Sequence, residues 1–427
     1  MPKERFVFAH LADAHVGAWP RNPRFRAALR TCLLKAIDRA AELRIEFLLI
    51  SGDLFHTPVP EPSEAAPIAA ALRRLVDQGT RIYAIYGSHD YVAHRTSWLD
   101  VLAEAGVFAR VAPEAVRAEG TRWTLPFLTD EPTGARIAGI SGRSHGLDRE
   151  YFRGVDSEAF RAAPGFHVFQ FHAAIEEYLP EGLREHIAGI RRADLPAGCQ
   201  YYAGGHIHAP YLGEGPEGGT LVNPGTLFGT SIQDLRTNAS VTGRHGLAIV
   251  RVGDRMPKVE FYDPFSEAPV VVRAVDVTGR SAEELARDVA VATAHSGAAT
   301  STVAIDFTGT LPPEMTLAQL PTLSAGEVTG SDAAPVYVDY HSVELSTGAV
   351  GPPKSEAEIE QTEFHRLSQE AGESAPWALG EEGERRMREL LAELGTPKGD
   401  GEARADYIEA RRAGALRLLD VRRAGPR

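Results

Sequence analysis

Five short polar clusters in this sequence could bind cations or move protons, and each closes a strand-like apolar run. Asp13-Ala14-His15 follows FVFAHLA, Gly52-Asp53 follows EFLLI, and Gly87-Ser88-His89-Asp90 follows IYAIY. His172 closes FHVFQFH, and Gly204-Gly205-His206-Ile207-His208 follows QYYA. On an extended chain, residues two apart project to one side. Asp13 and His15 are therefore expected to share a face, as are His206 and His208, with Ile207 turned into the core. The glycine before Asp53 lets the turn approach closely and the carboxylate bridge two cations. Asp13, His15, Asp53, His172, His206 and His208 together offer nitrogen and oxygen donors with no thiolate. Such a shell suits manganese, iron or zinc better than magnesium or calcium. Two ions about 3.5–4 Å apart can clamp a phosphodiester and lower the pKa of a bridging water for in-line attack. A lone histidine at a strand end is more often packed or hydrogen-bonded. The ordered set is what points to a two-metal phosphoesterase.

Positioning such clusters requires many strands with helices between them. Besides the five runs above, ARIAGISGR, GTLVNPG, GLAIVRV and KVEFYDP read as strands. Segments 25–44, 61–78 and 95–106 carry apolar residues at helical spacing, among them Leu29, Leu33 and Ile37, then Leu72, Leu75 and Val76. The pattern predicts an α/β layered sandwich, αββα, over residues 1–265. After Pro264 the texture changes to strand, helix, strand, strand, a small α+β module over 266–350. Residues 351–427 read as a linker and a polar helical tail, with helices expected over 381–395 and 402–420.

The chain has 427 residues, 43% of them hydrophobic and 24% charged, which fits a folded protein of two or three domains. A formal net charge of −13 argues against a protein that coats nucleic acid over its whole surface, though not against a local basic patch. Cys32 and Cys199 form no metal-ligand pattern and read as reduced core thiols. No signal-peptide stretch or membrane-length apolar run is apparent, so the cytoplasm is the expected location. No Walker-type loop is found, so any ATP dependence would come from another chain.

The order DxH, GD, GxH(D/E), H, GHxH resembles the calcineurin-like metallophosphoesterases. Within them, HLADAHVG, ISGDLFH, YGSHD and YYAGGHIH are most similar to the SbcD-type DNA repair nucleases. The resemblance implies that Asp13, His15 and His208 hold a first metal, that Asp53 bridges, and that His172 and His206 hold a second. It further implies manganese as the metal and His89 as the general acid, a role suited to imidazole. His56 matches a family histidine that assists positioning of the substrate, although a plain surface histidine reads the same way. Where the family has asparagine, this chain has Ser88, which is shorter and offers one hydroxyl. Metal contact at Ser88 would be lost, made through water, or weakened.

The metal cluster alone does not choose DNA among phosphoesters. Arg21, Arg24, Arg26, Arg30 and Lys35, beside Trp19 and Phe25 with no acid between 16 and 37, could hold backbone phosphates, or simply form a solvated helix face. Arg143, Arg149, Arg191 and Arg192 could extend that rim. The resemblance also implies DNA ends as substrate, attacked 3′ to 5′ on duplexes and endonucleolytically on single strands. It implies an SbcC-type coiled-coil ATPase partner, for which helix 402–420 offers an apolar face of Ile408, Ala415, Leu416, Leu418 and Leu419, though a helix folded back on its own core would show the same pattern. A homodimer is implied through helices 61–78 and 95–106, with Leu99, Val101 and Leu102 as contacts. The alternatives are a phosphodiesterase or phosphatase on another substrate, and a catalytically weakened scaffold.

Overall fold

The computed structural model describes residues 3–91, 96–111, 116–117, 123–142, 148–181, 184, 187, 189–253, 256–268, 270–294, 302–313, 315, 336–345, 385–386, 388–390, 392–393, 396 and 404–418. Arg143 lies outside the described residues, and nothing is described of the side chain of Arg149.

Two six-stranded sheets form the centre. In the first, β1 (Phe6–Leu11), β2 (Phe47–Ser51), β3 (Arg81–Ile85) and β4 (Ala109–Arg110) run parallel. Two antiparallel strands complete it beyond β1. A short ribbon, β5 (Val116–Arg117) with β6 (Trp123–Thr124), precedes the second sheet. There β7 (Leu128–Asp130), β8 (Ala135–Ile140), β9 (His167–His172), β10 (Tyr201–Gly205), β11 (Tyr211–Glu214) and β12 (Thr220–Asn223) lie in the order β11-β12-β10-β9-β8-β7. The strands that close the first sheet are β13 (Leu247–Val252) and β14 (Lys258–Tyr262).

Alternation along the strands builds three apolar layers. Phe8 and Phe47 stack with centroids 4.7 Å apart, and Tyr201 meets Phe8 edge-on at 5.0 Å, which joins the inner faces of the sheets. Ala9, Leu11, Leu48 and Ile50 point outward to α1 (Pro23–Glu42), α2 (Pro62–Asp77) and α3 (Trp98–Glu104). Phe169, Phe171 and Tyr202 face the opposite way, towards α4 (Asp148–Arg153) and α5 (Glu158–Ala162). Strands buried on both faces explain the near-continuous apolar runs in the sequence. The result is the expected layered α/β sandwich.

Helix α1 starts where Pro23 needs no backbone partner and the Asn22 side chain accepts from Phe25 N at 3.1 Å. Its stripe of Leu29, Leu33 and Ile37 is buried, each contributing about 1.5–3 kcal/mol by leaving water. Arg30 reaches Glu64 of α2 at 2.9 Å. In α3 a capping box links Ser97 and Asp100. Leu99 and Leu102 of α3 are buried in the helical layer, so they are not surface contacts as expected; Val101 is exposed. A seven-residue helix has room to bury one face only, and these leucines lie on it.

Helix α6 (Ile232–Ser240) separates the second sheet from β13. Beyond β14, the strands β15 (Val270–Asp276), β16 (Thr302–Leu311) and β17 (Val336–Leu345) make a parallel sheet with α7 (Ala282–Ala294) between the first two. Leu285 and Val289 of α7 pack on Ile305 and Phe307. The other face carries Val272, Ala304 and Tyr337 onto the layer of α1. Arg236 of α6 bonds Asp306 of β16 at 2.6 Å.

By contacts the chain divides into Met1–Leu345 and Ser346–Arg427. In the second unit α8 (Arg404–Leu418) pairs its Arg411 with Glu393 at 3.2 Å. Of the apolar face expected on this helix, only Ala415 and Leu418 have described side chains. The Ile408 and Leu416 side chains and all of Leu419 lie outside the described residues.

Candidate metal centre

Parallel strands of both sheets deliver the polar clusters to one edge, beyond their C-terminal ends, where open α/β sheets place their sites. Asp13 and His15 follow β1, Asp53 follows β2, and Ser88 and His89 follow β3. From the second sheet, His172 ends β9, while His206 and His208 follow β10. One ligand atom each of Asp13, Asp53 and His172 lies within 4.8 Å of the others. The same holds for Asp13, His15 and His208, and for His15, His56 and His89. His206 joins no such group among the described residues, although its ring lies 5.1 Å from that of His172.

The backbone reaches this arrangement by turning, not by extension. Asp13 (φ 52°), His15 (φ 49°), Asp53 (φ 52°) and His206 (φ 91°) all have left-handed or neighbouring conformations. This corrects the expectation that strand alternation sets the faces of the DxH and GHxH pairs. Each such residue costs about 1 kcal/mol or more and persists only where its surroundings hold it. Asp13 N donates to Gly52 O at 3.1 Å and His15 N to Asp53 O at 2.9 Å, locking the first two loops together. His206 N donates to both oxygens of Asp13 at 3.0 and 3.1 Å. Gly52 and Gly87 pass so close that a Cβ on Gly87 would lie 2.1 Å from Asp53 Oδ1. Ile207 is buried as expected.

Hydrogen bonds from behind fix the imidazoles. His172 Nδ1 lies 2.8 Å from Ser51 O, so it carries the proton and turns Nε2 to the site. That Nε2 is buried without a hydrogen-bond partner and stands 3.2 Å from Asp53 Oδ2 and 4.0 Å from Asp13 Oδ1. His208 Nδ1 lies 2.9 Å from Asp234 Oδ2, and His208 Nε2 lies 3.1 Å from His15 Nε2. Ser88 spends its hydroxyl on Asp53 Oδ2 at 3.2 Å, and His89 N donates to Asp53 Oδ1 at 2.8 Å. His89 is exposed; its Nδ1 lies 2.9 Å from His56 O, and the two rings stack 5.0 Å apart.

Buried together, the carboxylates and imidazoles shift one another's proton affinities. Burial raises Asp13 to about 6 against the pull of His172 and His208. Burial acts to raise Asp53 too, but His172 and His15 hold it well below the ordinary carboxylate range. His172 is carried to about 10, burial being outweighed by Asp53 and Asp13. His208 reaches about 9, where Asp234 outweighs burial. Burial and then His172 push His206 down to about 4. These ligands must be deprotonated to bind metal, so divalent ions would compete with protons at this site. The nitrogen and oxygen donors, the unpartnered His172 Nε2 and the buried carboxylates all fit a pair of divalent cations.

Two residues with no expected role hold the site. Asp90 accepts from Asp53 N at 2.6 Å and Gly87 N at 2.9 Å, tying the second loop to the third. Asp234 stands behind His208. The Ser-x-x-Asp capping pattern at Ser231–Asp234 marks the helix start that presents it.

The basic segment divides. Arg26 pairs with Glu61 at 3.3 Å, Arg30 with Glu64 at 2.9 Å and Lys35 with Glu267 at 2.7 Å. Arg21 and Arg24 are exposed and have no ion pair among the described residues. Arg24 lines a cleft of about 380 Å³ beside Val270 and Thr302. Trp19 and Phe25 are buried and in ring contact at 4.9 Å, so neither offers a face to a base. Arg191 bonds Glu176 at 3.4 Å, and Arg192 Nη1 donates to Glu214 O at 3.3 Å.

The family described as calcineurin-like phosphoesterase matches residues 6–210. The chain is similar to the DNA double-strand break repair protein Mre11 of Methanopyrus kandleri, 28% identical over 319 residues, covering 72% of this chain and 66% of that one. Mre11 of Archaeoglobus fulgidus is 26% identical over 258 residues, covering 58% of this chain and 55% of that one. These matches span between half and two thirds of the relatives' own length. Among solved structures, a dimetal phosphatase from Danio rerio has 10% identity and a TM-score of 0.32, covering 60% of this chain and 96% of that chain.

Proposed function

We propose that this chain, whose residues 6–210 form a calcineurin-like phosphoesterase domain, is a two-metal DNA nuclease of double-strand-break repair. The observation that carries the reading is the convergence of Asp13, His15, Asp53, His172 and His208 on one edge of two sheets. Asp13, His15 and His208 would hold one ion, His172 and His206 the other, with Asp53 between them. The relatives named for double-strand-break repair support DNA as the substrate.

A bound ion pair, manganese in this reading, supplies a hydroxide and screens the phosphate charge. The protein's own work is then orientation and proton delivery. His172 and His208 present Nε2 because Ser51 O and Asp234 hold the other nitrogen. His89 Nδ1 donates to His56 O, so the proton passed to the departing 3′ oxygen as the phosphorus–oxygen bond breaks would be the second one, held at Nε2 of the imidazolium. His56 supports it by stacking. Exposed Arg21 and Arg24 are the cations available to the DNA backbone, with Arg26 in reach once released from Glu61. The enzyme would act 3′ to 5′ on duplex ends and endonucleolytically on single strands. An SbcC-type ATPase would dock on residues 351–427, and a second copy would pack on α2 and α3, where Val101 is exposed. No helix among the described residues is long and apolar enough to cross a membrane; the cytoplasm is the proposed location.

The test is incubation of end-labelled duplex DNA with manganese, comparing wild type with His89→Ala. The expected result is a loss of about 10²–10⁴ in rate with unchanged manganese binding. Hydrolysis of simple aryl phosphate esters without cleavage of DNA would overturn the DNA reading.

A further inference from the structure

Asp234 is an odd residue to find behind a metal site. It lies on α6, between β12 of the second sheet and β13 of the first, and one of its oxygens collects four donors. Oδ2 accepts from Thr230 N at 2.7 Å, Thr230 Oγ1 at 3.1 Å and Ser231 N at 3.1 Å, and it meets His208 Nδ1 at 2.9 Å. The first three contacts are those of a helix cap, and Asp234 N completes the box by donating to Ser231 Oγ at 3.1 Å. The fourth belongs to a different part of the fold, the loop after β10.

An imidazole alone can rotate about its χ angles and exchange tautomers. A carboxylate at Nδ1 removes both freedoms: Nδ1 must carry the proton, and Nε2 must point away from Asp234. Here it points to His15 Nε2, 3.1 Å away, a separation at which two nitrogen lone pairs need a proton or a cation between them. The carboxylate is itself immobile. Ile232 and Leu235 of α6 are buried, and Asn238 Nδ2 donates to Thr226 Oγ1 at 3.1 Å and Phe228 O at 2.9 Å. The loop that carries the cap is fixed in turn by Trp19 Nε1, which donates to Gly229 O at 2.9 Å. Trp19 lies four residues beyond His15. The loops of the two facing imidazoles are thus tied to one another behind the site as well as across it.

We propose that Asp234 is a positioning residue for the first metal, holding His208 in the tautomer and orientation that binds it. This rests on the two-metal reading above and adds to it a residue outside the matched domain, 6–210. The capping role alone would make Asp234 structural, and the two roles separate by substitution. Asp234→Ala removes the oxygen from both. Ser231→Ala weakens only the cap, at about 1 kcal/mol of stability. Asp234→Asn keeps a carbonyl oxygen able to take all four donors. Asp234→Glu keeps the charge but moves the oxygen by a methylene, and is the variant to read should Asp234→Ala not fold.

The measurement is manganese titration of the full chain by calorimetry, with free ion counted by electron paramagnetic resonance. Wild type is expected to bind two ions. Asp234→Ala should weaken one of them about 10–100-fold, with Asp234→Glu moving in the same direction. Asp234→Asn should stay within about threefold of wild type, and Ser231→Ala should bind like wild type while melting lower. Wild-type affinities in both Asp234→Ala and Asp234→Glu, or equal losses in Ser231→Ala and Asp234→Ala, would overturn the inference alone. Fewer than two ions on wild type would overturn the two-metal reading and this inference with it.

Discussion

Gly52 sits where three loops of the site meet, and replacing it by alanine tests how tightly they pack. An added Cβ would lie 2.4 Å from His172 Nδ1, 2.7 Å from Gly87 Cα and 2.8 Å from Gly87 N. Ordinary contact begins at 3.4 Å, so the imidazole must retreat by about 1 Å (3.4 less 2.4) or the Gly87 backbone must move. His172 Nδ1 is the atom held by Ser51 O at 2.8 Å, and a retreat of that size breaks the bond. Gly52 also has φ +88°, so any side chain there pays a conformational cost of about 1–2 kcal/mol irrespective of space. Gly79→Ala isolates that cost: Gly79 has φ +97° and nothing within 4 Å of an added Cβ. Both variants should lose similar stability to backbone strain. Only Gly52→Ala should also lose metal, by about 10–100-fold at the ion held by His172, which is about 1.4–2.7 kcal/mol. The assay is a thermal melt of each metal-free variant, followed by manganese titration. Wild-type manganese affinity in Gly52→Ala, or an equal loss in Gly79→Ala, would refute the reasoning.

Ser88→Asn gives a side chain long enough to leave Asp53 and reach the second ion of the proposed pair; its manganese affinity is expected to rise several-fold. Identical metal dependence of cleavage in the two proteins would show that Ser88 is not the weak point. Away from the site, buried Asp130 accepts from Arg81 Nε at 2.7 Å, Arg81 Nη2 at 2.9 Å, the Tyr83 hydroxyl at 2.9 Å and the Thr133 hydroxyl at 2.6 Å. Burial would raise its pKa, but these donors hold it below the ordinary 3.8. A depressed carboxylate contributes stability that is complete above its unfolded value and is lost as pH falls through the folded one. Asp130→Asn should therefore cost about 2–3 kcal/mol at neutral pH, less than a fully buried pair because Arg81 is partly open to solvent. Chemical denaturation from pH 7 to pH 3 should narrow the gap between the two proteins; a gap that stays constant would count against the argument.

Much of the architecture is legible in the sequence because strands buried on both faces leave continuous apolar runs, and the site residues close those runs. Phe47–Ser51 and His167–His172 announce both a strand and the site residue at or just beyond its end, His172 and Asp53. The local backbone is less legible. Alternation along an extended chain suggests shared faces for Asp13 and His15, yet both lie beyond the strand with φ near +50°. Supporting residues are harder still, since Asp234 meets His208 across 26 residues of chain and its sequence signal is that of a helix cap. The arginine segment shows the same limit. Arg26 and Arg30 look unopposed because the acids that meet them, Glu61 just before α2 and Glu64 on it, lie more than thirty residues away in sequence.

The convergence of His15 and His208 also orders events in time. Their Nε2 atoms lie 3.1 Å apart, yet 193 positions separate them along the chain. At a synthesis rate of roughly 5–20 residues per second, about 10–40 s pass between the emergence of one and of the other. During that interval β1, β2 and β3 can pair with one another, but the wall made by β9 and β10 does not yet exist. The chain made by then carries Asp13, His15, Asp53 and His89 but lacks His206 and His208. On the two-metal reading, the ligand set is complete only once β9 and β10 have been made, so an N-terminal fragment ending before them could not bind both ions.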